Sequence, residues 1–160
     1  MNPPSVATIS SRRTRAVEGC GGRGRRIAAA LLTLATIGAA APVAYPPDSV
    51  LLLVAPWCAP CHAELARLDA IAAAARPLAV RVFAVEDNVR ARAMLRGVPE
   101  ARRWSPPEGE ARRARADALA RAPGLPFSLA TDSAGRVCAG QGGGLDAART
   151  AALVATCRAR

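Results

Sequence analysis

Hydrophobic positions in the first half of the folded region recur with two different periods, which predict a strand, a helix and a second strand. Val50–Val54 is a continuous apolar run, typical of a strand that is buried on both faces of a sheet. Apolar residues at helical spacing then predict an amphipathic helix over about 59–75, which Pro77 ends. Along Leu78–Val85 the alternation has a period of two, which predicts a second strand.

Beyond residue 85, capping residues and turn signals divide the chain more clearly than periodicity does. Asn88 and Asp146 are typical helix caps, and Asp132-Ser-Ala-Gly135 is a hairpin turn signal. In order, the predicted elements are a short helix from Asn88 to Arg96, an irregular excursion over residues 98–109, a helix over about 110–121, strands Phe127–Thr131 and Arg136–Ala139, a flexible hinge Gly140–Gly144 and a last helix from Asp146 to about Arg158. This order, a parallel pair joined by a helix and followed by an antiparallel hairpin, predicts an α/β fold in which helices cover a small mixed sheet.

A basic segment followed by an apolar run at the N-terminus predicts export from the cytoplasm. Residues 1–26 hold six Arg and one Glu, and we expect them to form a basic, disordered n-region. The apolar run Ile27–Ala41 has 15 residues and ends in small ones, as a signal-peptide core does. Extended to Ala44 it has 18 residues, which also permits an uncleaved anchor in the inner membrane. Segment 27–44 is therefore a signal peptide or an anchor, and residues 45–160 are the predicted domain, in the periplasm or another extracytoplasmic space.

Charge and composition narrow the classes of function. The 160-residue chain has a net charge of +10, all 22 of its basic residues are Arg, and aromatic residues make up 3%. The arginines around Trp104 alternate with acidic residues instead of interleaving with aromatic ones, so we expect no nucleic-acid partner. The single histidine, His62, cannot supply a multi-histidine metal site, so we expect no metal.

The motif with the most specific chemistry is Trp57-Cys58-Ala59-Pro60-Cys61, between the first predicted strand and the first helix. C-x-x-C at such a junction is typical of redox proteins, because two cysteines at this spacing can form a disulfide within one turn. Cys58 lies at the predicted helix N-terminus, where backbone N–H groups and the helix dipole stabilise a thiolate, and Pro60 stiffens the loop. Cys61, one turn deeper, is the predicted resolving thiol. Zinc is the alternative, but Cys138 and Cys157, 19 residues apart, do not form a second such pair.

A second candidate segment is Gly124-Leu125-Pro126, at the start of the third predicted strand. The bond before Pro126 can be cis, which would place the Leu125 backbone against the dithiol. The alternative is an ordinary loop proline that begins an edge strand. This segment by itself does not decide between the two interpretations.

Taken together, Trp57–Cys61, the adjoining His62-Ala-Glu64-Leu65 and the later Gly124–Val137 resemble the thioredoxin superfamily. The likeness is greatest to its exported, membrane-tethered TlpA/ResA-type thiol–disulfide oxidoreductases, and it covers about residues 48–157. It implies a thioredoxin-like, three-layer α/β/α fold with a small mixed sheet, preceded by an N-terminal signal or anchor helix. Two positions depart from the family pattern: Phe127 stands where Thr is frequent, and Leu52 stands where thioredoxin has a buried Asp.

The resemblance also implies roles for individual residues. In this family the first cysteine attacks a partner disulfide, the second resolves the mixed disulfide and the cis-proline shapes the docking groove. Those roles carry over to Cys58, Cys61 and Pro126. A Glu three residues after the second cysteine tunes the thiols in some relatives, which makes Glu64 a candidate for proton handling.

For several candidate residues, the sequence permits a structural interpretation beside the functional one. Glu64 is a proton shuttle, or else a first-turn acid favoured by the helix dipole. His62 stabilises the Cys58 thiolate, or else is simply exposed. Trp57 covers the dithiol and lines the partner groove, packs in the core, or does both. Cys138 and Cys157 form a structural disulfide between the last strand and the last helix, or else remain two buried thiols.

These observations predict an exported thiol–disulfide oxidoreductase that acts as a reductant. Its partners are a client protein with a cysteine pair or disulfide and an upstream membrane electron donor, and the membrane itself if the N-terminal segment is uncleaved. No organic cofactor is needed, since the dithiol carries both electrons. The family likeness makes an apocytochrome c one candidate client. The alternatives are a disulfide-forming oxidant on the same fold and a non-catalytic thioredoxin-like binding module.

Overall fold

A four-stranded mixed sheet organises residues 42–160, the part of the chain that the computed structural model describes. Its strands are β1 (Ser49–Val54), β2 (Ala79–Ala84), β3 (Phe127–Thr131) and β4 (Val137–Gly142). They lie in the order β2-β1-β3-β4, with β1 parallel to β2 and β3 antiparallel to both β1 and β4. The predicted parallel pair and antiparallel hairpin are therefore confirmed, and β1 and β3 are the central strands.

The helices also follow the predicted order. They are α1 (Ala59–Leu65), α2 (Leu68–Ala74), α3 (Val89–Arg96), α4 (Ala111–Arg121) and α5 (Ala147–Arg158), with a 3-10 turn at Glu100–Arg102. Asn88 and Asp146 cap α3 and α5, each accepting a backbone N–H three residues later. These caps confirm the two predicted helix starts.

The predicted single helix over 59–75 is wrong, because the chain forms two short helices there. The N–H of Arg67 bonds to the carbonyl of Glu64, three residues back, at 3.0 Å. The Arg67 guanidinium takes the Ala63 carbonyl at 3.2 Å, the group that a continuous helix would pair with the Arg67 N–H. The turn is tightened at this point, and α2 begins one residue later.

The predicted flexible hinge at Gly140–Gly144 is also wrong in its first three residues, which belong to β4. Gly140 pairs with Leu129 and Gly142 pairs with Phe127 in the antiparallel ladder. A Cβ on Gly140 would lie 3.0 Å from the Phe127 ring, so the aromatic side chain occupies the space that a side chain on β4 would fill. Tertiary packing makes this segment part of a strand, and a run of glycines gives no local signal of that packing.

Helices on both faces of the sheet complete the three layers. On one face α2 and α5 contact each other, and both contact the sheet. On the other, Phe83 packs against Trp104 with ring centroids 4.7 Å apart, and Arg115 of α4 lies 6.0 Å from the Phe83 centroid. Trp104 also contacts Tyr45, with ring centroids 5.4 Å apart, so it serves local packing. The α/β fold with a small mixed sheet between helical layers is confirmed.

The predicted n-region, residues 1–26, and most of the predicted signal or anchor segment, 27–44, lie outside the described residues. Residues 42–44 carry no regular structure. Within the part of the chain that is described, none of the helices is long and apolar enough to cross a membrane.

Candidate active site

The two cysteines of the dithiol lie where β1 gives way to α1. Cys58 is the N-cap of α1, in extended conformation, and its sulfur accepts the Cys61 N–H at 3.2 Å. The two sulfurs form a disulfide of 2.05 Å, with the Cα atoms 5.2 Å apart and Pro60 in the first turn of the helix. Cys58 is 3% exposed and Cys61 is fully buried. Of the pair, only Cys58 retains any exposed surface.

Trp57 stands beside the dithiol and projects into solvent, with 69% of its surface exposed. Its indole N–H donates to the Glu86 carboxylate, whose other oxygen accepts from the Asn88 amide at 2.6 Å. Packing in the core, the structural alternative for Trp57, is therefore wrong. Sequence reasoning missed Glu86, although an acidic residue two positions after β2 lies at the same sheet edge as the dithiol.

Glu64 lies one turn beyond Cys61, and its side chain has no exposed surface. One carboxylate oxygen accepts the Leu145 N–H at 2.7 Å, while the other has no hydrogen-bond partner among residues 42–160. The hydroxyl of Ser128, buried on β3, likewise has none within that part of the chain. The alternative of a first-turn acid favoured by the helix dipole is wrong, because Glu64 lies in the last turn of α1, where it faces the core.

Burial changes the acidity of this carboxyl group. It raises the pKa of Glu64 from 4.5 to about 7. The Leu145 N–H and the charges of Arg67 and Arg149 oppose this rise, since each favours the ionised form. A group with such a pKa can both accept and return a proton near neutral pH.

His62, next to Cys61 in sequence, points away from the core. Its side chain is exposed, and Nε2 lies 3.0 Å from the carbonyl oxygen of Pro56. His62, in α1, thus contacts the loop that precedes Cys58. Its position is exposed, which is one of the two alternatives that the sequence left open.

The bond between Leu125 and Pro126 is cis, as the sequence allowed. Pro126 is buried, and the following residue, Phe127, pairs with Leu53 near the end of β1. That register places Pro126 at the edge of the sheet from which the dithiol loop departs. The alternative of an edge strand is wrong, because β3 lies between β1 and β4. A docking role for Leu125 and Pro126 remains a prediction.

A second disulfide joins Cys138 of β4 to Cys157 of α5, with the Cα atoms 4.9 Å apart. Cys138 is near the hairpin end of β4, whereas Gly142, at the other end of that strand, is the residue that pairs with Phe127. The second disulfide therefore lies at the end of the sheet away from the dithiol. Its position suits a structural link between an edge strand and the C-terminal helix.

Removing this second disulfide is expected to lower stability without changing thiol exchange. The Cys138→Ala/Cys157→Ala variant should unfold with a free energy lower by about 2 kcal/mol, because the denatured chain loses a cross-link. Denaturant titration measures this loss, and the exchange rate of the Cys58/Cys61 pair is the control. A large loss of exchange with unchanged stability would assign the second pair to the reaction instead.

No group of three or more His, Cys, Asp or Glu side chains that could hold a metal ion is present within residues 42–160.

The strand order, the dithiol at the start of α1 and the cis-proline before β3 define the class as a thioredoxin-like α/β protein. No family model matches the chain, and no curated protein matches it. Among solved structures, the chain is similar to the crystal structure of StoA from Bacillus subtilis. The two are 13% identical and superpose with a TM-score of 0.45 over 68% of this chain and 83% of that one.

Proposed function

We propose that this protein is a thiol–disulfide oxidoreductase that exchanges two electrons with client protein cysteines through Cys58 and Cys61. One observation carries the proposal: the two sulfurs are bonded to each other at the start of a helix, with the first residue retaining 3% exposure and the second fully buried. Two cysteines so placed can pass between dithiol and disulfide without moving the backbone far.

The reaction in the reducing direction starts from the dithiol form. The Cys58 thiolate attacks one sulfur of the client disulfide, forming a mixed disulfide and releasing the client's other sulfur as a thiolate, which takes up a proton. Cys61 then loses its proton and attacks the Cys58 sulfur. The client leaves as a dithiol, reduced by two electrons, and the Cys58–Cys61 disulfide remains.

Glu64 supports the second step of this reaction, the attack by Cys61. With Leu52 at the position where thioredoxin has an acid, the buried carboxyl one turn after Cys61 is the group we assign to accept the Cys61 proton. The pKa of about 7 suits that transfer, because the carboxyl is partly ionised at neutral pH. Trp57, held by Glu86, and the Leu125–Pro126 backbone are assigned to client docking.

We further propose that the protein works as a reductant outside the cytoplasm, exported or tethered by segment 27–44. A reductant there needs an upstream membrane electron donor, because the dithiol is consumed in each turnover. The client is a protein with a cysteine pair or disulfide, and an apocytochrome c is our leading candidate from the family likeness. The basic n-region and apolar run support export, and the dithiol supports the client class.

The reduction potential of the Cys58/Cys61 pair tests the direction of electron flow. We expect a value of about −270 mV, close to that of thioredoxin, whereas an oxidant on the same fold would lie near about −120 mV. The measurement is equilibration with glutathione redox buffers, followed by thiol trapping, in the Cys138→Ala/Cys157→Ala variant, so that one pair is observed. A pair that resists mild dithiothreitol would indicate a non-catalytic binding module instead.

A further inference from the structure

The connection from β4 to α5 touches two groups of the candidate active site. We call Gly142–Leu145 the glycine turn, since three of its four residues are glycine. Its Gly143 N–H donates to the Pro126 carbonyl at 3.1 Å, and its Leu145 N–H donates to the Glu64 carboxylate at 2.7 Å. One short segment thus supports both the cis-proline and the buried acid.

The backbone of the glycine turn has little conformational preference of its own. Gly143 and Gly144 have φ values of +82° and +77°, in the left-handed region that other residues rarely adopt. Such a turn loses much conformational entropy when it is held in one shape. Something outside the turn must therefore keep the Leu145 N–H aimed at the Glu64 carboxylate.

Arg149, in the first turn of α5, makes the contacts that hold the turn. Its guanidinium donates two hydrogen bonds, Nη1 to the Gly143 carbonyl at 2.8 Å and Nη2 to the Gly142 carbonyl at 3.0 Å. The backbone of Arg149 is fixed in turn, because its N–H donates to the Asp146 cap at 2.8 Å. The planar fork of an arginine can span two carbonyl oxygens at once, which a lysine ammonium cannot do in the same geometry.

We propose that Arg149 is a positioning residue that clamps the glycine turn and thereby keeps the Leu145 N–H on the Glu64 carboxylate. Its catalytic consequence rests on the proposed function, whereas the clamp itself does not. Arg149 touches no reacting atom and acts through Gly142 and Gly143.

A plain electrostatic role for Arg149 is the competing explanation, because its positive charge lowers the pKa of Glu64. The charged and polar groups that act on this carboxyl are Arg67 from the α1–α2 junction, Arg149 from α5 and Ser128 from β3. Arg67 supplies a similar charge but bonds to Ala63 and makes no hydrogen bond to the glycine turn. It therefore serves as the matched control, since its removal takes away a similar charge and the bond to Ala63 but no contact with the glycine turn.

The test is an NMR pH titration of the full chain in its disulfide form. The Leu145 amide proton reports the ionisation of Glu64, because it bonds to that carboxylate, and its exchange with solvent deuterium reports opening of the turn. The variants compared are Arg149→Gln, which loses clamp and charge, Arg149→Lys, which keeps the charge but loses the fork, and Arg67→Gln.

We expect Arg149→Lys to raise the Leu145 titration midpoint by about 1 pH unit. Arg149→Gln should raise it further, because it also loses the positive charge. Both variants should speed the exchange of Leu145 about tenfold, since a shift of one pH unit corresponds to a factor of ten. Arg67→Gln should raise the midpoint less and leave exchange unchanged. The proposal is overturned if Arg149→Lys behaves as the unaltered protein, or if neither Arg149 variant speeds the exchange of Leu145.

The catalytic consequence is measured separately, as the pH profile of client reduction. Arg149→Lys should move that profile upward by the same amount as the NMR midpoint. If the unaltered protein reduces no client, the proposed function fails while the NMR result still decides the clamp. If client reduction proceeds but its profile does not move with the midpoint, the catalytic consequence is wrong.

Discussion

Cys61→Ser is expected to stop turnover and leave the protein joined to its clients as mixed disulfides. The Cys58 thiolate still attacks a client disulfide, but serine at position 61 has no thiol with which to release it. Turnover should fall to the uncatalysed background while adducts accumulate in cells. Non-reducing gels detect the adducts, and mass spectrometry of the cross-linked peptide should place the bond at Cys58 and identify the client.

The matched control for this trap is Cys58→Ser, which removes the attacking sulfur and leaves Cys61 buried. It should accumulate almost no adducts. Both variants are made with Cys20→Ser and Cys138→Ala/Cys157→Ala, so that the dithiol supplies the only sulfur under test. Equal adduct yields from the Cys58 and Cys61 variants would show that the burial difference between the two sulfurs does not set their order of reaction. Absence of adducts from both would remove the oxidoreductase proposal.

Glu64→Gln is expected to stabilise the protein above neutral pH while slowing its reaction. Because burial raises the pKa of Glu64 from 4.5 to about 7, the folded protein binds more protons than the unfolded chain between those values. The contribution of Glu64 to the free energy of unfolding is therefore fully present at pH 4. It falls by about 3 kcal/mol in all as the pH rises to about 7. Glutamine keeps an oxygen for the Leu145 N–H and never ionises.

The measurement is urea unfolding of the disulfide form of both proteins from pH 4 to pH 8.5. The stability difference in favour of Glu64→Gln should grow from near zero to about 3 kcal/mol across that range, since other groups titrate equally in both. Glu108→Gln, the same change at an exposed position, is the control and should show no such growth. A constant difference between Glu64→Gln and the unaltered protein would contradict the raised pKa.

The same variant should slow client release, because Cys61 loses its proton acceptor. We expect the second chemical step to slow by about a hundredfold, the lower range for a positioned general base. Stopped-flow measurement of release from the mixed disulfide separates this step from the first attack by Cys58, which should be unaffected. Unchanged release would leave Glu64 as a buried structural acid and would assign the proton transfer to solvent.

Much of the fold is predictable from local patterns because those patterns report burial and turn geometry directly. The continuous apolar run became β1, with every residue buried, and the Asp132–Gly135 turn signal joined β3 to β4 as expected. The Gly140–Gly142 segment was mispredicted because glycine signals flexibility locally, whereas here the Phe127 ring needs the space. Local composition carries no information about a side chain that arrives from another strand.

The candidate site likewise has features that adjacent residues predict and features that depend on distant residues. The spacing of Cys58 and Cys61 and their place at a helix start follow from adjacent residues, so the sequence was sufficient to predict them. Whether Glu64 is solvated or buried could not be predicted, since its partner, Leu145, is 81 residues away. The contact between Trp57 and Glu86, 29 residues apart, was missed for the same reason.

The sequence by itself determined the element order, the two helix caps and a dithiol at the junction of strand and helix, because each depends on residues within a few positions of one another. Only the tertiary structure decided which acid is buried, which arginine holds the glycine turn and whether Cys138 and Cys157 are bonded. Those outcomes depend on the register of β3 with its neighbours and on the docking of α5. Such long-range packing sets the local dielectric and the available hydrogen-bond donors, and these in turn set the acidity on which the proposed chemistry depends.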